Sequence, residues 1–194
     1  MSEISKPTSE IKLIAALNRG EERAYIEVLN LHKQQITKTV IGMLGAVVEA
    51  QDISQEVFIR FFKNVHNFKG EAKISTYLTR IAINLSLNEL EKRKRKWKVF
   101  SSGEFTDATL KNSYTDDDAE LDEQLVLLRR AILMLDNKYK EVVVLRAVQG
   151  FSFKEVAEIL ALPIGTVLTR FSRAQKKLIE LLIKKNENRK STSY

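Results

Sequence analysis

With 194 residues, 44% of them hydrophobic, the chain is long enough for one or two small domains with true apolar cores. It has no cysteine, which excludes disulfides and thiolate metal sites, and no run of apolar residues approaches the roughly 20 needed to span a membrane. The net charge of +7 makes nucleic acid or another anionic surface a fitting partner, although charge alone selects neither.

The N-terminus, "MSEISKPTSEIK", lacks a cationic start followed by an apolar run, so it is not read as a secretory signal. A soluble, cytoplasmic protein is the expectation. Glycine (7) and proline (2) are scarce, and no segment alternates like a strand. Apolar residues instead recur at helical spacing from about Ile11 onward, so the chain is read as all-α. After an N-terminal segment, 1–20, a first helical block is expected over 21–98. Ile36, Val40, Met43, Leu44 and Val47 form one stripe, and Ile53, Val57, Phe61 and Phe62 another. "NFKGEAKIS" reads as a loop. A third helix, starting near Ser75, buries Leu78, Ile81 and Leu85. Its other side carries Tyr77, Arg80, Asn84, Asn88 and Glu91 and runs out into "KRKRKWK".

Ser101 to Gln124 breaks this pattern. It has eight acidic residues against one lysine, a local charge of −7, which leaves +14 on the remainder. Two basic helical domains joined by a flexible acidic linker, 99–124, are therefore expected, the linker being at least a solvating spacer.

In the second block, 125–186, "LVLLRRAILML" and "KEVVVLRAV" are apolar helices separated by "DNKY". Ser152 and Glu155 form a capping box that starts a short helix closing at Leu160. Pro163, without a backbone donor, is read as the break. The helix that follows sets Val167, Phe171, Ala174 and Leu178 on one side. Thr166, Thr169, Arg170, Arg173 and Lys177 lie on the other. Alone, this would be a solvated basic face. After a short helix and a tight turn it is the second helix of a helix-turn-helix, whose outer residues enter the major groove. Arginine there can read guanine with two hydrogen bonds, and threonine can meet phosphate or a thymine methyl. A tail, 187–194, completes the chain.

This second block, "LDNKYKEVVVLRAVQGFSFKEVAEILALPIGTVLTRFSRAQKKL", resembles region 4 of sigma factors. Leu135, Leu145, Arg146, Gly150, Ser152, Glu155, Ala157, Leu160, Gly165, Thr166, Val167, Arg170, Arg173, Ala174 and Leu178 fall in register with that pattern. Asp136 stands for the usual proline, Thr169 for serine, and Leu168 for a common basic residue. The first block resembles region 2, through "AQDISQEVFIRFF" and "FKGEAKISTYLTRIAINLSLNELEKRKRK". There Tyr77 replaces a frequent tryptophan and Asn88 a common aspartate. Together the two segments are similar to the extracytoplasmic-function class of the sigma-70 family.

That resemblance implies a protein that binds RNA polymerase core and directs initiation from promoters with -10 and -35 elements. Asp52, Gln55, Glu56, Ile59 and Lys63 would face the β′ clamp helices. Lys73, Ile74, Ser75, Tyr77, Arg80, Asn84 and Asn88 would read the separated strand of the -10 element, where aromatic platforms, amides and base pockets are useful. Lys92, Arg93 and Arg95, within the run Lys92 to Lys96, would hold duplex phosphates. Thr166, Thr169, Arg170, Arg173 and Lys177 would read the -35 element. The β flap and an anti-sigma factor are the other partners it implies. The linker would thread near the template strand and the RNA exit.

Competing classes account for less of the chain. No Walker loop or dinucleotide fingerprint is present, so no enzyme and no cofactor are expected. His32 and His66 lack a metal-ligand pattern and read as surface or packing residues. Asp116 to Asp118 lack the glycine-bearing loop of a calcium site. A stand-alone helix-turn-helix regulator would explain Gly150 to Leu178 but not the Asp52–Glu56 segment.

Overall fold

The fold was analysed in a computed structural model, which describes residues 8–68, 70, 72–100 and 123–191. Residues 101–122 of the acidic linker, Asp116 to Asp118 included, lie outside the described residues. Eight α-helices are present among those described. They are α1 (Thr8–Asn18), α2 (Glu22–Leu44), α3 (Val48–Lys63), α4 (Ile74–Phe100), α5 (Glu123–Met134), α6 (Asn137–Val143), α7 (Phe153–Leu160) and α8 (Ile164–Ser191). A 3-10 turn (Val65–Asn67) follows α3, and a π-turn (Val144–Val148) extends α6. The chain is all-α, with one cluster of helices on each side of the linker.

In the first cluster α2, α3 and α4 pack against one another. On α2 the residues Val28, Ile36, Val40 and Met43 are fully buried, with Leu44 at 3% exposure. The helix stops at Gly45, whose φ of 83° suits glycine and whose amide donates to the Ile41 carbonyl. The stripe therefore ends one turn short of Val47, which precedes α3 as its N-cap. On α3, Ala50, Ser54, Val57, Phe58 and Phe61 are buried at spacings of three and four. Burial of a side chain such as Phe61 contributes about 1.5–3 kcal/mol. Asn64 then closes α3 by donating from Nδ2 to the Arg60 carbonyl at 2.9 Å. In the loop region that follows, Phe68 turns inward against Phe61 and Tyr77.

The N-terminal segment contains α1. Its Leu17 is fully buried, and its C-terminal end is held by the Tyr25 hydroxyl, which donates to the Leu17 carbonyl at 3.2 Å.

In the second cluster α5, α6 and α7 each pack on α8. The helix expected over "KEVVVLRAV" begins earlier, at Asn137, and its second half is a π-turn, with the Gln149 amide donating to the Val144 carbonyl. The extra residue in this turn presents Val144, fully buried, to the first cluster.

The two clusters lie against each other. Helix α4 packs on α7, and α2 packs on both α5 and the π-turn. Their buried apolar residues form one continuous core. Gly42 of α2 approaches the π-turn closely: a Cβ there would sit 2.9 Å from Val144 Cγ1.

Candidate nucleic-acid interface

The helix-turn-helix is built by α7 and α8. The Ser152 amide donates to Glu155 Oε2 at 2.9 Å, and the Glu155 amide donates to Ser152 Oγ at 3.3 Å, which completes the capping box. The Ser152 hydroxyl also donates to Glu155 Oε2, at 2.8 Å, and together with the Ser152 amide it holds the Glu155 carboxyl below its ordinary pKa. The break after Leu160 differs from the expected one. The chain reverses at Ala161, which adopts φ 51°, and the Leu162 amide returns to the Ala157 carbonyl at 3.0 Å. Pro163 instead opens α8, its carbonyl accepting from the Thr166 amide at 2.9 Å. Proline is tolerated there because no helical bond needs its missing N–H.

On α8, Val167 and Ala174 are fully buried, and Phe171 meets Phe153 edge-on at 5.3 Å. This stripe turns the other side outward. Thr169 and Arg173 are exposed there and Thr166 is half-buried, while the Thr169 hydroxyl donates to the Gly165 carbonyl at 2.8 Å. The two remaining cations face carboxylates. Arg170 Nη1 donates to Glu141 Oε1 at 2.7 Å, and Lys177 Nζ to Asp136 Oδ2 at 3.1 Å. Burial pushes the Glu141 carboxyl up, and Arg170 opposes that shift.

An open groove of about 360 Å³ runs along the start of α8, lined by Lys138, Tyr139, Gly165, Thr166, Thr169, Arg170 and Arg173. Lys138 and Lys177 both lie over the Tyr139 ring, at 5.1 and 5.2 Å. Lys138 and Tyr139 are not expected from the sequence, because "DNKY" reads as the break between two helices. Three cations, Lys138, Arg170 and Arg173, thus line a concave surface, a suitable shape and charge for a phosphate backbone.

The residues expected to read the separated strand occupy α4 and the residue before it. Lys73 is exposed and Ser75 half-buried, whereas the Ile74 side chain is 1% exposed and belongs to the core. Tyr77 is half-buried, 5.0 Å from the Phe68 ring and 5.9 Å from Phe61. Arg80 points at the second cluster, donating to the Glu158 carbonyl at 2.7 Å and the Ile159 carbonyl at 3.1 Å. Asn84 and Asn88 are exposed further along the helix.

Beyond them, Lys92 and Arg95 are exposed. Arg93 is half-buried and reaches Glu89 and Glu49, at 3.3 and 3.4 Å, and the Leu44 carbonyl. It ties α4 to the α2–α3 corner.

The third set lies on α3, away from Val57 and Phe61. Asp52, Gln55 and Lys63 are exposed, Ile59 is 45% exposed, and Glu56 pairs with Arg60 at 2.7 Å. An exposed isoleucine among charged residues is a suitable centre for a docked partner. Among the described residues, no cluster of three or more His, Cys, Asp or Glu could hold a metal ion, and no helix is long and apolar enough to cross a membrane.

Two family models match the chain: Sigma-70 region 2 over residues 28–96 and Sigma-70, region 4 over residues 125–178. The ECF RNA polymerase sigma factor SigW of Bacillus subtilis is 34% identical over 174 residues, covering 86% of this chain and 93% of that protein. The RNA polymerase sigma-H factor of Pseudomonas aeruginosa is 29% identical, covering 88% and 92%. Two solved structures share the fold. One is CnrH in complex with the cytosolic domain of CnrY, with a TM-score of 0.68 at 22% identity over 90% of this chain and 97% of that one. The other is the sigma factor RpoE in complex with the anti-sigma factor NepR from Bartonella quintana, with a TM-score of 0.63 at 24% identity over 81% and 96%.

Proposed function

The chain belongs to the extracytoplasmic-function class of the sigma-70 family of RNA polymerase sigma factors, and from that premise we propose how its three surfaces divide the work. A sigma factor binds RNA polymerase core and directs promoter recognition, and is not itself an enzyme. In this division region 2 occupies 21–98 and region 4 occupies 125–186. The exposed face of α3, with Asp52, Gln55, Glu56, Ile59 and Lys63, docks on the β′ clamp helices. The α4 N-terminus and outer face, Lys73 to Asn88, take the separated strand of the -10 element, and Lys92 and Arg95 follow the duplex. The groove at the start of α8 seats the -35 element. Thr166, Thr169 and Arg173 lie within reach of base edges and phosphate, and Lys138 adds a cation at the rim. Region 4 also meets the β flap.

The observation that carries this reading is the pairing of an outward polar face on α8 with a second polar face on α4, each beside the motif of its own sigma region. An anti-sigma factor is the proposed regulator, since RpoE, a fold relative, is seen bound to one.

The test is transcription by purified core plus this protein on a promoter library randomised at both elements. Promoter-specific transcripts with a preference at each element are expected. With active core, their absence across the library would overturn the reading. Exchange of the Lys73–Tyr77 segment for that of another sigma factor should move the downstream preference and leave the upstream one.

A further inference from the structure

Helix α1 ends at Asn18, ahead of the region 2 match, which starts at residue 28. It nevertheless reaches the segment proposed to read the -10 element. Glu10, half-buried on α1, accepts a hydrogen bond at Oε1 from the Ile74 amide at 2.6 Å, across 64 residues of sequence. Ile74 is the first residue of α4, so its N–H is among those that a helix leaves without an internal partner. A carboxylate supplies a charge-assisted acceptor there and sits at the positive end of the helix dipole.

The position matters because of its neighbours. Lys73 and Ser75 flank the bonded amide, and Tyr77 lies one turn on. The Ile74 side chain is anchored in the core. Its backbone is therefore fixed twice, by burial of the side chain from below and by Glu10 at the amide. A second layer supports the arrangement. His32 on α2 is half-buried beside Glu10 and hydrogen-bonded to Gln35, and Gln35 Nε2 donates to Thr79 Oγ1 of α4 at 3.3 Å. Burial holds the His32 imidazole below its ordinary pKa, so at neutral pH it faces Glu10 mainly uncharged and leaves that carboxylate to the α4 amide.

We infer that Glu10 is a positioning residue for -10 recognition: the carboxylate of α1 sets the backbone of Lys73 to Tyr77, and α1 is thereby a functional part of region 2. This rests on the assignment of the -10 element to that segment. Glu10 itself need touch no base.

Two variants and two measurements test it in the full chain. Glu10→Ala removes the acceptor, and Glu10→Gln keeps an acceptor oxygen without the charge. Hydrogen exchange at the amides of residues 74–77 should accelerate in Glu10→Ala while α8 amides are unchanged. In library transcription with core, Glu10→Ala should lower discrimination at the -10 element about tenfold, the scale of a lost hydrogen bond to a charged group. Glu10→Gln should keep most of it, and both variants should keep the -35 preference and core affinity. Unchanged -10 discrimination in Glu10→Ala, an equal loss at both elements, or a Gln variant as poor as the Ala variant would each overturn the inference. The Lys73–Tyr77 exchange separates the two levels. If it moves the downstream preference and Glu10→Ala does not, only the role of Glu10 falls. If it leaves the preference in place, the -10 assignment falls first.

Discussion

Arg80 donates to the carbonyl of Glu158 at 2.7 Å, which joins region 2 to the end of the first helix of the helix-turn-helix. A second bond, to the Ile159 carbonyl at 3.1 Å, makes the guanidinium a side-chain cap at the end of α7, where the Glu158 carbonyl also accepts from the Ala161 amide at 3.3 Å. The same side chain lies on the face of α4 assigned to the -10 element. It cannot serve α7 and promoter DNA at once, so if Arg80 reads the -10 element as proposed, DNA engagement would require the two clusters to separate.

The approach of Gly42 to Val144 gives a way to shift that balance without touching a DNA-facing residue. An added methyl at position 42 would sit 2.9 Å from Val144 Cγ1, and the stiff, buried valine has little room to yield. Overpacking of this kind costs about 1–3 kcal/mol, while alanine favours the α2 helix itself by about 1 kcal/mol. Gly42→Ala should therefore open the clusters and keep α2 intact. The distance between fluorophores on α3 and α8 should lengthen in the free protein. An unchanged distance would show that the contact does not hold the clusters together.

Lys140 gives a pH-dependent prediction. It is 4% exposed, and burial, with Arg93 nearby, lowers its pKa to about 8, against a smaller opposing effect from Asp136. The unfolded chain keeps this proton up to the ordinary value of 10.5. Between those limits the unfolded state binds more protons, so stability rises with pH. Below about 8 both states are charged and the native state carries the full penalty, on the order of 3 kcal/mol. Lys140→Met should raise the melting temperature at pH 7, and its advantage should shrink as pH rises through 8 toward 10.5. An advantage independent of pH would assign the effect to packing instead.

The helix-turn-helix was legible because its signals are local. The capping box at Ser152 and Glu155 and the Val167–Ala174 stripe lie within one or two helical turns, and both form. The features that were not legible join distant segments. Nothing in the periodicity of α1 marks Glu10 as the partner of Ile74, and nothing in "TRIAIN" sends Arg80 to α7. The π-turn escapes because "KEVVVLRAV" is equally apolar in either helical geometry; in the fold this turn packs against α2. Motif register puts Ile74 among base-contacting residues, whereas its side chain, at the start of α4, lies in the core at 1% exposure.

Ala161 marks where the sequence reading of the turn differed, and it offers a stability test. An alanine at φ 51° pays the steric cost of its Cβ in the left-handed region, about 1–2 kcal/mol. Glycine removes that cost and adds backbone entropy to the unfolded chain, which returns about 0.4–1 kcal/mol. Ala161→Gly should therefore stabilise the protein by about 0.5–1 kcal/mol in denaturant titration, with no change in slope. Since Ala161 is exposed and outside the α8 groove, upstream promoter preference should be unaffected. Destabilisation would mean that the alanine methyl makes a contact worth more than the strain.

Arg170 and Arg173 lie three residues apart on α8, yet their surroundings assign them different tasks. Arg170 is 26% exposed and bonded to Glu141, itself 11% exposed, so its loss leaves a largely buried carboxylate unpaired. Breaking a fully buried pair costs about 3–5 kcal/mol, and this partly exposed one should cost less, about 1–3 kcal/mol. Arg170→Ala should lower the melting temperature, and Glu141→Gln in the same chain should recover part of the loss, because a neutral amide tolerates burial better than a lone carboxylate. Arg173 is exposed at the rim of the groove. Arg173→Ala should leave stability within about 0.5 kcal/mol of the parent. If Arg173 contacts one phosphate, the log–log salt dependence of promoter binding should fall by about 0.9; if it reads a base, preference at one base pair should relax instead. Equal destabilisation by both substitutions, with salt slope and base preference untouched, would make both arginines structural and leave Thr166, Thr169 and Lys138 to carry the upstream contact.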